Sequence, residues 1–211
     1  AKRYSARSAT VGMADDKQGR DKQAHDAERR QRERELRTEL ERRNEPEPPV
    51  DERDLDEIDA ALEDVPFPAT AAEVVDAVGD RSVAAGGDRY AVKALIAESD
   101  VEQFERPETV RVRVRRPRVA SAMKQVVEAA ETIPNVEFPA KTRDAYEKSL
   151  RAMAAIDAGD EDSGVRALRE WIVDRIEEKG KLPRSRDVRR QGAKIAREFG
   201  HEIRNDEWLG V

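Results

Sequence analysis

The 211-residue sequence contains no cysteine. That removes disulfides, thiolate nucleophiles and cysteine-rich metal sites together. Histidine is nearly absent as well, with only His25 and His201, so general-base and zinc chemistry have almost no material. Aromatic residues make up 4% of the chain, and any core must therefore rest on Ala, Val, Leu and Ile. No apolar run approaches the roughly 18 residues that a membrane-spanning helix needs. Lys2, Arg3 and Arg7 have no apolar stretch behind them, so the beginning does not read as a secretory signal. Neither a Walker nor a Rossmann glycine pattern occurs, and Gly86-Gly87 reads as a turn. The carboxylate clusters at Asp15-Asp16, Asp51 to Asp59 and Asp160-Glu161-Asp162 have no His or Cys beside them. An all-carboxylate Mg²⁺ site is the one metal alternative they leave. The expectation is a non-enzyme without cofactor or metal.

What the sequence does have is charge. Charged residues make up 41% and hydrophobic residues 37%, against a usual charged share of about a quarter, so part of the chain is expected to stay outside any core. Asp plus Glu number 46 and Lys plus Arg 40, with Arg outnumbering Lys 30 to 10. An acid-rich, lysine-poor composition suits a molar-salt cytoplasm, where hydrated carboxylates keep a chain soluble. A high-GC genome is the other source of an arginine excess. At about 1 M salt the Debye length is about 3 Å, and diffuse attraction between a basic surface and phosphate is weak. Nucleic-acid contact would then rest on close, bidentate arginine contacts.

The charge is blocked along the chain. Residues 1–43 carry a net +4, residues 44–80 a net −12, and residues 111–124 six basic groups with no acid. Residues 1–20 read as an extended basic tail. Residues 21–50 read as a solvated charged helix followed by a linker. Asp26/Arg30, Glu28/Arg32, Glu33/Arg37 and Glu39/Arg43 form i,i+4 pairs in the favourable order, and Glu45-Pro46-Glu47-Pro48-Pro49 then stops the helix. Residues 51–135 read as a small α+β domain. Asp51 caps a helix carrying Leu55, Ile58 and Leu62. Thr70-Ala71-Ala72-Glu73 is a capping box, and Ser82 to Val92 around Gly86-Gly87 is a hairpin. Alternation over Val110 to Val114 predicts a half-buried strand, and Pro117 opens a helix. Residues 136–211 read as a helical domain of helix-turn-helix-like form. Its apolar stripes are Tyr146/Leu150/Met153, Val165/Leu168/Ile172/Ile176 and Val188/Gly192/Ile195/Phe199, and Ile203, Trp208 and Leu209 are placed to fold back. The predicted fold class is mainly α with a small α+β domain.

Several segments carry a resemblance. They are Phe67-Pro68-Ala69-Thr70-Ala71, Val78-Gly79-Asp80, Val112-Arg113-Val114-Arg115-Arg116-Pro117, Leu182-Pro183-Arg184-Ser185-Arg186-Asp187-Val188-Arg189-Arg190 and Asn205-Asp206-Glu207-Trp208-Leu209-Gly210. On these, residues 51 to 211 resemble an uncharacterised protein family of halophilic archaea. Met13-Ala14-Asp15-Asp16-Lys17 looks like the usual start of such a protein. The resemblance implies a halophilic source and a cytoplasmic location, and no activity or site residues.

Two basic surfaces are candidate contacts. The first is the final helix, where Arg186, Arg190, Lys194 and Arg197 fall at offsets 0, 4, 8 and 11 opposite the apolar stripe. A helix-turn-helix unit presents its second helix this way. The alternative is a solvated polar face, against which stands the scarcity of acids in 181–197, where Asp187 is alone. The second is the arginine strand. On a strand, Arg111, Arg113 and Arg115 share one face about 6–7 Å apart, with Arg116 and Arg118 following, and could clamp successive phosphates. The alternative is pairing with the acidic 44–80 block. The expected function is a non-enzymatic accessory protein of a nucleic-acid machine, with RNA or a ribonucleoprotein particle such as the ribosome preferred over DNA. The rivals are a protein–protein adaptor that uses residues 21–43 and the acidic block, and a DNA-binding regulator.

Overall fold

In the computed structural model, residues 50–156 and 162–201 are described. The expected tail, charged helix and linker, and the Ile203, Trp208 and Leu209 fold-back, lie outside these residues. The described chain is mainly helical, with eight helices and two short two-stranded antiparallel sheets. The predicted fold class is thus the observed one.

Helix α1 (Glu52–Leu62) starts at Asp51, whose side chain accepts from the Arg53 N–H at 3.0 Å. Glu52 and Asp54 in its first turn suit the positive end of the helix dipole. Leu55, Ile58 and Leu62 on its inner face are fully buried. Strand β1 (Ala69–Thr70) leads into α2 (Ala71–Val78) through the predicted capping box. The Glu73 N–H donates to Thr70 Oγ1 at 3.2 Å, and the Thr70 N–H donates to Glu73 Oε2 at 2.7 Å. Strands β2 (Ser82–Ala85) and β3 (Asp88–Ala91) form the expected hairpin. Gly86 and Gly87 both sit at positive φ, 60° and 93°, as the favoured two-residue turn demands. A one-turn helix α3 (Val92–Leu95) follows, and strand β4 (Gln103–Phe104) then pairs with β1.

The next segment departs from its predicted form. Val110 to Val114 is not a strand but the second half of helix α4 (Pro107–Val114). Pro107 at the first helical position and Glu108 in the first turn favour a helix start. The buried positions are Val110, Arg113 and Val114, a spacing of three and four. An arginine thus occupies a core position that alternation assigns to solvent. Pro117 then pushes Arg116 out of the α region, to φ −126° and ψ 74°. The break separates α4 from α5 (Pro117–Glu131).

Three further helices complete the described chain: α6 (Ala140–Ile156), α7 (Ser163–Lys179) and α8 (Ser185–Glu198). Each of α6, α7 and α8 packs on the other two, and α5 lies against α7 and α6. The predicted stripes are buried as far as Ile195, but Phe199 is 46% exposed instead of continuing the α8 stripe. It sits at the helix C-cap, where the chain turns away from the packed face.

The buried side chains form two clusters. One joins α1 to α4 through Leu55, Ile58, Val78, Leu95, Phe104 and Val110. The other joins α5 to α8 through Met123, Val126, Tyr146, Leu168, Ile172 and Ile195. Helix α5, grouped by sequence with the elements before it, contributes most of its buried face to the second cluster.

Candidate nucleic-acid interface

Helix α8 is fixed by its apolar side and open on its basic side. Val188, Gly192, Ala193, Ile195 and Ala196 are buried, whereas Arg186, Arg190, Lys194 and Arg197 are all exposed. The four residues predicted from the 0, 4, 8, 11 spacing therefore lie on the outward face. Lys194 Nζ is 3.7 Å from Glu198 Oε1. Lys181 and Arg184, which sequence spacing did not single out because they precede the helix, are exposed at its beginning. No side chain caps α8 at Arg184, so the positive end of the helix dipole adds to these charges.

The turn before α8 is held by specific contacts. Gly180 ends α7 in the left-handed region at φ 58°, and its N–H donates to the Ile176 carbonyl at 2.8 Å. The Tyr146 hydroxyl on α6 donates to the Pro183 carbonyl. Burial pushes the Tyr146 phenol above its ordinary value, and the Asp187 carboxylate adds to the shift, so the hydroxyl keeps its proton. At the far end, the Gly200 N–H donates to the Arg197 carbonyl and the His201 N–H to the Ala196 carbonyl, both at 3.0 Å. With Gly200 at φ 86°, this is a Schellman termination. Trp171 is half-buried on α7 against the second core cluster, with the Arg175 guanidinium 5.7 Å from its ring.

The other predicted surface is dispersed. On a helix, Arg113 leaves the face that Arg111 and Arg115 share. Arg111 turns to α1, donating to Glu52 Oε2 at 2.7 Å, to Asp56 Oδ1 at 3.1 Å and to Asp59. Partial burial opposes its charge, but Asp59, Asp56 and Glu52 outweigh that and hold its proton more firmly than usual. The pairing with the acidic 44–80 block is therefore realised at Arg111. Arg115 is exposed, 3.6 Å from Glu52. Arg116 is buried, and Arg118 pairs with Asp162 at 2.9 Å.

Arg113 is 3% exposed and lies inside a charged network. Its Nη2 is 2.8 Å from Oε1 of the fully buried Glu102 and 3.1 Å from Oε2 of Glu147. Arg143 Nε is 3.6 Å from the same Glu102 oxygen, and its Nη1 donates to the Gln103 carbonyl at 2.6 Å. The Phe104 ring lies 5.8 Å from both guanidinium carbons, within cation–π range. Burial works against the Glu147 carboxylate, but Arg113, Arg151, Arg116 and Arg143 together hold it below its ordinary value. For Arg113, burial again opposes the charge, and Glu102 and Glu147 outweigh it. Sequence reading missed this network because its members are far apart in the chain. The one signal was an arginine at the helix-spaced position between Val110 and Val114.

The described chain is a mainly helical protein whose last three helices present one exposed basic helix. Among the described residues no helix is long and apolar enough to cross a membrane. Residues 52–126 match a family of unknown function, DUF5789. That match spans α1 to most of α5 and ends before α6 to α8. No curated protein and no solved structure matches the chain.

Proposed function

We propose that the protein is a non-enzymatic, nucleic-acid-binding accessory factor whose contact helix is α8. The observation that carries this is the placement of Arg186, Arg190, Lys194 and Arg197 on the exposed face of a helix whose opposite face is buried. Guanidinium forks on a rigid helix can grip phosphates bidentately. A helix-turn-helix-like module is the reading that the mutual packing of α6, α7 and α8 supports. The preferred partner is RNA within a ribonucleoprotein particle, in the cytoplasm of a halophilic archaeon. The acid-rich, arginine-rich composition supports that setting, where close contacts rather than diffuse charge supply affinity.

Duplex DNA is the second reading, favoured by the short turn that joins α7 to α8. Binding to a structured RNA and to a DNA duplex is to be measured for the full chain and for Arg186→Gln/Arg190→Gln/Lys194→Gln. The proposal expects RNA binding, weakened at least about tenfold in the variant, and a shallower salt dependence by about one unit per lost contact. Unchanged binding in the variant would remove α8 as the contact. Duplex-only binding that depends on α8 would replace the RNA reading by the DNA one.

A further inference from the structure

A second basic feature lies away from α8. A cleft of about 270 Å³ opens between α5 and α7. Arg118 on α5 and Arg166 and Arg169 on α7 line it, and Tyr90 of β3 joins them. Residues 118, 121 and 125 come from α5 and 165, 166 and 169 from α7, with Asp162 at the α7 N-cap. The cleft is thus built mainly from two packed helix faces.

The charge balance is unusual for this chain. Three guanidiniums meet a single lining carboxylate, Asp162, in a protein of net charge −6. Two of the arginines are oriented by neighbours. Arg118 Nη1 is 2.9 Å from Asp162 Oδ1. Arg169 Nη1 donates to Gln125 Oε1 at 2.7 Å, and its Nη2 is 3.2 Å from Glu170 Oε1. Each guanidinium carries five N–H donors, so both keep donors to spare. Arg166 is exposed and has no side-chain hydrogen bond or ion pair among the described residues. The first turn of α7 also reaches the cleft, through Val165 and Arg166, and brings the positive end of that helix dipole with it. Converging guanidiniums and a helix dipole attract one anion, and the planar forks suit phosphate best. Tyr90 is half-buried against the first core cluster, which leaves a held aromatic ring beside the charges. The volume is just under the roughly 300 Å³ at which small-molecule sites begin, enough for one nucleotide unit and too small for a dinucleotide.

The geometry points to a nucleoside-phosphate site in this cleft: Arg118, Arg166 and Arg169 grip the phosphate, Ser121 and Gln125 offer hydrogen bonds, and Tyr90 stacks on the base. The unit is either a free nucleotide or one nucleotide of an RNA strand. The site is independent of α8 and goes beyond the function proposed above.

Calorimetric titration of the full chain with 5′-AMP, with inorganic phosphate and with an adenine hexaribonucleotide tests this. The variants are Arg166→Gln, Arg118→Gln and Tyr90→Leu, each checked for folding by circular dichroism. Arg166 is exposed, so its replacement leaves the fold intact. Binding of 5′-AMP that falls about tenfold or more in Arg166→Gln, with Tyr90→Leu weakening 5′-AMP but not inorganic phosphate, establishes the site for free nucleotide. Hexanucleotide binding that falls likewise in Arg166→Gln, without measurable 5′-AMP binding, establishes it for a strand. No binding of either probe, or binding indifferent to Arg166 and Arg118, overturns it. Arg186→Gln/Lys194→Gln serves as the control, because 5′-AMP binding that survives it separates this site from the α8 surface.

Discussion

Replacing Arg113 by methionine keeps most of the side-chain volume and removes the charge at the centre of the buried network. The loss can be worked from the geometry. Glu102 is fully buried and loses its 2.8 Å partner, and Glu147 loses a contact at 3.1 Å. Arg143 remains 3.6 Å from Glu102, too long for a strong hydrogen bond. Glu102 is then left under-compensated away from water, while Glu147 keeps Arg151, Arg116 and Arg143 around it. Breaking a buried pair from one side costs about 3–5 kcal/mol, a large share of the roughly 5–15 kcal/mol by which a domain is stable. Urea denaturation should show the midpoint falling with the slope unchanged. Arg115→Met, at an exposed position 3.6 Å from Glu52, should change stability by less than about 1 kcal/mol. A double variant, Arg113→Met/Glu102→Leu, should recover part of the loss, since removing both charges spares the desolvation penalty. A single Arg113→Met cost below about 1 kcal/mol would refute the reasoning.

Other consequences follow from the same structure. The Glu147 carboxylate is held below its ordinary value of 4.5, so its contribution to stability is complete above about pH 4.5 and is lost as pH falls further. Thermal melts from pH 7 to pH 3 should show that loss in the wild type, and a smaller slope in Glu147→Gln. Gly180→Ala should cost about 1 kcal/mol, because the left-handed backbone at φ 58° disfavours a side chain. A Cβ there meets nothing within 4 Å, so Gly180→Asn should restore most of the stability, and an equal loss in both would point to a clash instead. Tyr146→Phe removes the hydrogen bond to the Pro183 carbonyl and should cost about 1 kcal/mol in a denaturation curve. An unchanged midpoint would mean that this bond does not hold the turn.

Local signals carried much of the fold. Asp51, the Thr70 to Glu73 box, Gly86-Gly87 and Pro117 each act within a few residues, and each element they predict is present. The apolar stripes of α6 to α8 were legible for the same reason: helix periodicity is a property of one segment. Residues 110–114 were not, because alternation in Val-Arg-Val-Arg-Val is overridden by partners 11 and 34 positions away. Only Glu102 and Glu147 make it tolerable to bury Arg113. The outward face of α8 was legible, since an amphipathic spacing fixes which side faces solvent. The cleft was not, because Tyr90, Arg118 and Arg166 come from three separate elements.

The central claim is that α8 touches nucleic acid. Its most direct test is a native pull-down of the full chain at molar KCl, with and without nuclease, run beside Arg190→Ala/Lys194→Ala. The account predicts that RNA and ribonucleoprotein co-purify with the wild type, are released by nuclease, and are largely lost in the variant. Retention of the same nucleic acid by the variant, or partners indifferent to nuclease, would contradict it.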